Sequence, residues 1–168
     1  MKAAPREAQF PLEPALDFLQ HLWEFNHAVE RVSLHMDRTL GVTAQQRLFI
    51  RCLGKYPGMT PGQLAKVLHL DRGTVSAALR RLEAKRLVTM RRDPGDKRRL
   101  ALGLTAKGRG LDHPTPATVE AAVERLLGAL GPARVTTVKR ALRQLSADLE
   151  SGLPPREGRR ASLSDFKT

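Results

Sequence analysis

Cysteine and aromatic residues are scarce in this sequence of 168 residues. It has one cysteine, one tryptophan and one tyrosine, and aromatic residues make up 4% of the chain. A single cysteine excludes a disulfide scaffold and any zinc finger or ribbon held by cysteine pairs. Long apolar runs are also lacking, because the longest stretch without a charged residue, 56–65, contains two prolines and two glycines. The sequence therefore predicts no membrane span.

Signals for export and for catalysis are lacking as well. Residues 1–13 contain no apolar segment followed by a small-residue cleavage site, so a cytoplasmic location is expected. The sequence has no glycine-rich phosphate loop, no Gly-x-Ser-x-Gly elbow and no His-Glu-x-x-His motif. These absences predict a protein that is not an enzyme and that uses no cofactor.

The histidines and the cysteine do not form a pattern typical of a metal or redox site. His21, His27 and His35 are separated by six and eight residues, whereas side chains on one helix face recur every three or four residues. No metal site is therefore predicted. Cys52 lies beside Leu53 in an apolar segment, and we interpret it as a small core residue rather than a nucleophile or an oxidant sensor.

Positive charge is abundant and unevenly distributed. The formal net charge is +12, and residues 71–99 contain ten basic residues against four acidic ones, so they carry half of that charge. An ordinary solvated surface would mix the two signs. The cluster predicts a polyanionic partner, and nucleic acid is favoured over an anionic membrane surface.

Apolar spacing and capping residues predict four helices in the first half of the chain. Apolar residues recur every three or four positions from Pro14 to Leu40, and Gly41 follows as a stop. Two Thr-x-x-Gln sequences, 43–46 and 60–63, match the capping box and predict the starts of two more helices. Asp71 predicts the N-cap of a fourth helix that reaches about residue 85.

The fourth helix suits the major groove of DNA. Val75, Leu79 and Leu82 line one side, whereas the opposite side carries small and basic residues. A helix that enters a groove about 12 Å wide needs small residues for close approach and polar or basic residues for contact. Alternating apolar residues then predict two strands, 87–91 and 99–104, joined by a cationic turn at 92–98.

This order of elements predicts a winged helix-turn-helix in a mostly α protein with a small β-wing. Two further helices are predicted at 116–130 and 133–150, separated by Gly131 and Pro132. The helix at 14–40 and the helices at 116–150 carry more apolar residues than one winged domain can cover, so they are predicted to be dimerisation helices. They flank a predicted DNA-binding domain at 43–108, with extensions at 1–13 and 151–168.

The sequence resembles the MarR family of bacterial transcription regulators. The resemblance depends on Asp71-Arg-Gly-Thr-Val-Ser, on Asp93-Pro-Gly-Asp-Lys-Arg98 and on Leu104-Thr-Ala-Lys-Gly108, and it extends over about 14–150. It implies a homodimer that places two winged domains over successive half-sites of a palindrome in double-stranded DNA. It also implies repression that a small-molecule effector can release.

The resemblance and the charge cluster together predict the site residues. The predicted DNA contacts are Arg72, Thr74, Ser76, Ala77, Arg80, Arg81, Arg91, Lys97 and Arg98. By the family's pattern, Arg98 enters the minor groove, and Asp71 and Asp96 brace the basic groups. Trp23, Phe25, His27 and Phe49 are the candidates for lining an effector pocket.

Three positions depart from the family's pattern. Arg86 stands where glycine is usual after the recognition helix, which predicts a mildly strained turn. The prolines in 112–116 interrupt what is commonly one long helix. Ala77 removes one base contact and motivates an alternative hypothesis, a winged-helix module that acts as an architectural DNA binder or through protein contacts.

Overall fold

The computed structural model describes residues 12–92 and 100–153. The helices are α1 (Pro14–Leu40), α2 (Ala44–Lys55), α3 (Pro61–Leu68), α4 (Arg72–Ala84), α5 (Ala106–Arg109) and α6 (Val119–Ser151), and the strands are β1 (Val88–Arg92) and β2 (Leu100–Leu104). The two strands pair antiparallel, with Met90 opposite Leu102. The predicted fold class, mostly helical with a small β-wing, is confirmed. No helix in these two ranges is long and apolar enough to cross a membrane.

The helix starts that the sequence predicts from its caps are formed by local hydrogen bonds. Thr43 Oγ1 accepts from the Gln46 N–H at 3.2 Å, and the Gln46 side chain accepts from the Thr43 N–H at 3.3 Å. Thr60 and Gln63 make the same reciprocal pair at the start of α3. Each pair satisfies two backbone donors that a helix terminus otherwise leaves without partners.

The chain divides into two compact units, 1–122 and 123–168. The core of the first unit brings together apolar side chains of α2, α3, α4 and both strands. Its completely or almost completely buried members include Phe49, Ile50, Leu53, Leu64, Val75, Leu79, Leu82, Leu87 and Leu102. Phe49 has no exposed surface and packs in this core; its part in an effector pocket stays a prediction.

The turn after α4 carries the strain that the sequence predicts. Arg86 has φ 57°, in the left-handed region that costs a non-glycine residue about 1–2 kcal/mol. The Leu87 N–H donates to the Leu82 carbonyl at 2.9 Å, and the Arg86 N–H donates to the Glu83 carbonyl at 2.8 Å. These two bonds form a Schellman motif, which requires the left-handed residue at the position that Arg86 occupies.

The C-terminal helical segment differs in part from the prediction. The break is confirmed, because Gly131 has φ 72° and ψ 164° inside α6. The predicted start at 116–117 is wrong, since Ala117 has φ 57° and the Thr118 hydroxyl accepts the Ala121 N–H, which places the first turn at Val119. Within one chain, the apolar side chains of Val123, Leu126, Leu127, Val138 and Leu142 are exposed.

Candidate nucleic-acid interface

Helix α4 has two chemically different faces. Val75, Ala78, Leu79 and Leu82 face the core and are at most 3% exposed. The opposite face carries Gly73, Ala77, Arg80 and Ala84 at intervals of four, three and four residues. Arg80 is exposed on this face, between residues with little or no side chain. The backbone can therefore approach a partner closely while one long cation extends beyond it.

Four of the predicted contact arginines have exposed side chains without a partner among the described residues. The guanidinium groups of Arg72, Arg80, Arg81 and Arg91 make no hydrogen bond or ion pair with any residue in 12–92 or 100–153. Lys85, in contrast, donates from Nζ to the Gly41 carbonyl at 2.7 Å and to Gln46 Oε1 at 3.1 Å, so it holds α4 against the end of α1. The structure therefore separates structural cations from cations that are available to an anionic partner.

Asp71 and Thr74 interact at the start of α4. Asp71 Oδ1 accepts from the Thr74 N–H at 2.8 Å, and Asp71 Oδ2 accepts from the Thr74 hydroxyl. Asp71 is thus the N-cap, as its position predicts; the bracing of basic groups by Asp71 stays a prediction. Ser76 and Ala77 are half-buried on the same helix. Asp96, Lys97 and Arg98 lie in 93–99, outside the described residues.

The four candidates for an effector pocket do not come together. Trp23 and His27 border an open apolar groove of about 540 Å³, whose lining comes entirely from Leu12 and α1. Phe25 is 61% exposed and does not line that groove. Phe49 belongs to the core, as described above. Sequence composition does not distinguish these environments, because an aromatic residue suits a core and a pocket equally well.

A stripe on one face of α2, formed by Arg47, Arg51 and Gly54, holds the connection between α5 and α6. The sequence pattern did not predict it. Arg47 is 1% exposed. Its guanidinium donates from Nε to Glu120, from Nη1 to the Leu111 carbonyl at 2.9 Å, and from Nη2 to the His113 carbonyl and the Thr115 hydroxyl. Four of its five N–H groups therefore have partners within one buried cluster.

The same stripe continues along α2, four and seven residues after Arg47. Arg51 Nη1 donates to Asp112 Oδ1 at 2.7 Å, and a Cβ added at Gly54 would lie 1.7 Å from Asp112 Oδ2. Residue 54 must therefore be small for Asp112 to pack there. The one available signal was that α2 contains two arginines four residues apart and no acidic residue to pair with them.

Cys52 and the histidines do not form a reactive site within the described ranges. Cys52 is half-buried and packs against the core, and burial raises the pKa of its thiol, which disfavours the nucleophilic thiolate. No group of three or more His, Cys, Asp or Glu in 12–92 and 100–153 is arranged to hold a metal ion.

Comparison with known proteins supports the interpretation of the fold. The MarR family model matches residues 40–99. An HTH-type transcriptional repressor of Mycobacterium tuberculosis (strain H37Rv) is 31% identical over 109 residues, which are 65% of this chain and 78% of the relative. The structure of FabT from Streptococcus pneumoniae in complex with DNA is similar with a TM-score of 0.60 and 26% identity, over 82% of this chain and 98% of FabT.

A mutant MarR from Escherichia coli complexed with operator DNA is similar with a TM-score of 0.59 and 26% identity, over 79% of this chain and 94% of that protein. The fold and these relatives thus define a winged-helix DNA-binding transcriptional regulator. The chain belongs to the MarR family.

Proposed function

We propose that the protein is a homodimeric repressor that binds a palindromic operator with α4 in the major groove and the wing at the minor groove. The observation that carries this proposal is the set of exposed arginines 72, 80, 81 and 91, whose guanidinium groups have no partner in the described part of the chain. DNA phosphates and base edges supply the hydrogen-bond acceptors that these guanidinium groups lack. The name of the mycobacterial relative, a repressor, supports the direction of regulation.

The dimer is proposed because two helices of one chain expose large apolar side chains. On α1, Leu16, Trp23, Phe25 and Leu34 are 52–61% exposed. On α6, Leu126, Leu142 and Leu149 are 51–63% exposed. Large exposed apolar side chains in this number are typical of an interface between molecules, and a second copy of the chain is the partner that symmetric assembly favours. The groove beside Trp23 is lined by Leu12 and α1 alone, so a second copy of the chain would also close its open side.

The first prediction is a dimer of about twice 18.6 kDa in sedimentation experiments at micromolar concentration. Trp23 is the only tryptophan and is 61% exposed in one chain, so its fluorescence emission should shift to the red when dilution separates the copies. Tyr56, which is also exposed, lies outside α1 and provides a control signal that should not change. A monomer at micromolar concentration would contradict the dimer.

An effector, if it binds beside Trp23 and His27, should change the same fluorescence. The hypothesis of ligand-controlled release follows from the family resemblance and from the apolar groove that these two residues border. It predicts that a compound that lowers affinity for the operator also quenches or shifts the Trp23 emission. A compound that releases DNA without changing that emission would place the effector site elsewhere.

A second prediction distinguishes an arginine that reads the base sequence from one that contributes only charge towards the phosphates. Arg98 is predicted to enter the minor groove, so Arg98→Ala should cost about 1–3 kcal/mol per half-site and flatten the preference for A·T-rich flanks. Arg81 is exposed near the C-terminal end of α4, where phosphate contact is expected. Arg81→Ala should weaken binding to all duplexes and reduce the salt slope by about one per subunit.

The measurement is a titration of each variant against the operator and a scrambled duplex at two salt concentrations. Arg38→Ala is a matched control, because Arg38 is an exposed arginine in the last turn of α1, outside the predicted interface. If Arg98→Ala binds the operator as tightly as the unmodified protein, the wing does not read sequence. That result favours the alternative function, an architectural DNA binder or a module acting through protein contacts. A ratio near one between the affinities for the operator and for the scrambled duplex would favour the same alternative.

A further inference from the structure

We propose that Thr74 reads an exocyclic amine of adenine or cytosine, and that Asp71 sets this preference by holding the proton of the Thr74 hydroxyl. The inference rests on the proposed function, because it requires α4 to enter the major groove. It goes further by assigning a chemical role to one hydroxyl and by naming the residue that controls that role.

The two side chains have a fixed donor and acceptor assignment. Asp71 Oδ1 accepts the Thr74 N–H, and Asp71 Oδ2 accepts the Thr74 hydroxyl. An ionised carboxylate has no proton to donate. The hydroxyl proton of Thr74 must therefore point towards Asp71, and the side chain meets any other partner with its lone pairs.

Those lone pairs are available. Thr74 is half-buried in the first turn of α4, and no donor from 12–92 or 100–153 reaches its Oγ1. The N-terminal residues of a recognition helix are the ones that contact base edges. Thr74 thus combines a favourable position with an unused acceptor.

This acceptor distinguishes between base edges in the major groove. Adenine N6 and cytosine N4 present donors there, whereas guanine N7 and O6 and thymine O4 present acceptors. A hydroxyl that rotates freely can satisfy either kind of edge, but one whose proton is held can satisfy only a donor. The Asp71–Thr74 pair therefore converts an adaptable hydroxyl into a selective one.

Ser76, two residues further on, provides a contrast to Thr74. It is also half-buried on α4, and its hydroxyl makes no hydrogen bond with any residue that the structure describes. Its proton remains free to rotate, so Ser76 is expected to tolerate both kinds of base edge. Because Ser76 is itself a predicted DNA contact, the control substitution is Thr39→Val. Thr39 is exposed on α1, outside the predicted interface, and its hydroxyl donates to the His35 carbonyl at 2.9 Å. Thr39→Val should leave the base preference assigned to Thr74 unchanged.

The experiment begins with selection of the operator from random duplexes by the unmodified dimer. Thr74→Val has nearly the same shape but lacks the hydroxyl, so the position at which it relaxes selection is the one that Thr74 contacts. The unmodified protein should prefer adenine or cytosine there by roughly 2- to 10-fold, the value of one neutral hydrogen bond. Replacing that base by an analogue without the exocyclic amine should weaken the unmodified protein but not Thr74→Val.

Asp71→Asn tests whether the direction of the Thr74 hydroxyl proton sets the base preference. The asparagine oxygen can still accept the Thr74 N–H, so the helix cap is retained. Its amide nitrogen, in place of Oδ2, donates to Thr74 Oγ1 and releases the hydroxyl proton towards the DNA. The preference at this position should shift to guanine or thymine.

Three outcomes would overturn the inference. They are an unchanged preference in Thr74→Val, an analogue that weakens both proteins equally, and an Asp71→Asn protein that binds all duplexes more weakly but still prefers adenine or cytosine. The analogue measurement needs no Asp71 variant and decides the question if Asp71→Asn fails to fold by circular dichroism. If the unmodified protein selects no sequence at all, the proposed function fails instead.

Discussion

Glu120→Ala is expected to lower the free energy of unfolding by about 3 kcal/mol, the lower end of the cost of breaking a buried ion pair. Arg47 is 1% exposed, and Glu120 is its only anionic partner among the described residues. Its other acceptors are two backbone carbonyls and one hydroxyl. Removing Glu120 leaves a buried cation without a counter-charge. The cost falls at the lower end because the Glu120 side chain is itself 29% exposed, so water already screens the pair.

Urea unfolding measures the loss of free energy of unfolding in Glu120→Ala. Two further variants test whether the loss comes from the ion pair with Arg47. Glu124→Ala is the control, because Glu124 is exposed on the same helix and makes no hydrogen bond or ion pair with a described residue; it should change stability by less than about 0.5 kcal/mol. The double variant Arg47→Met/Glu120→Ala should lose less stability than the sum of the two single losses. Additive losses would show that the two residues act independently, contrary to this account.

Gly108→Ala should also destabilise the protein by about 3 kcal/mol, at the upper end of the cost of overpacking. A Cβ at this position would lie 2.0 Å from the Leu87 carbonyl oxygen. The clash is with backbone, so no change of rotamer relieves it. The Leu87 carbonyl also accepts the Thr105 N–H at 3.1 Å, and any shift that makes room for the methyl group strains this bond between the end of β2 and the start of β1.

Gly128→Ala is the matched control for that substitution. Gly128 lies within α6, and a Cβ there would meet no atom within 4 Å. Alanine is favoured over glycine in a helix interior by about 1 kcal/mol, so this variant should be more stable than the unmodified protein. Thermal unfolding of the two variants should therefore change in opposite directions. A Gly108→Ala protein that is as stable as the unmodified one would show that α5 moves away from Leu87 at little cost.

The sequence predicts the local features of this fold well. Thr43 and Thr60 each find their partner three residues later, and Asp71 finds Thr74 at the same spacing. Such bonds depend on neighbours that the sequence shows directly. The two strands follow from alternation of apolar residues, and the strain at Arg86 follows from the conformation that its turn requires.

The features that the sequence did not predict are long-range ones. Arg47 contacts residues 64 to 73 positions away in the chain, and no periodicity shows which side chains will meet over that separation. Leu126 and Leu142 have the spacing of buried residues but are exposed in one chain. An amphipathic pattern indicates that a face is to be covered, but it does not indicate whether the same chain or another molecule covers it.

The contacts of Arg47 also determine where the chain can be shortened. A peptide that stops after α5, at Arg109, would keep Arg47 in α2 but lose the carbonyls of Leu111 and His113, the Thr115 hydroxyl and the Glu120 carboxylate. The smallest excised DNA-binding fragment must therefore retain the first turn of α6 and end no earlier than Ala122, where the first compact unit ends.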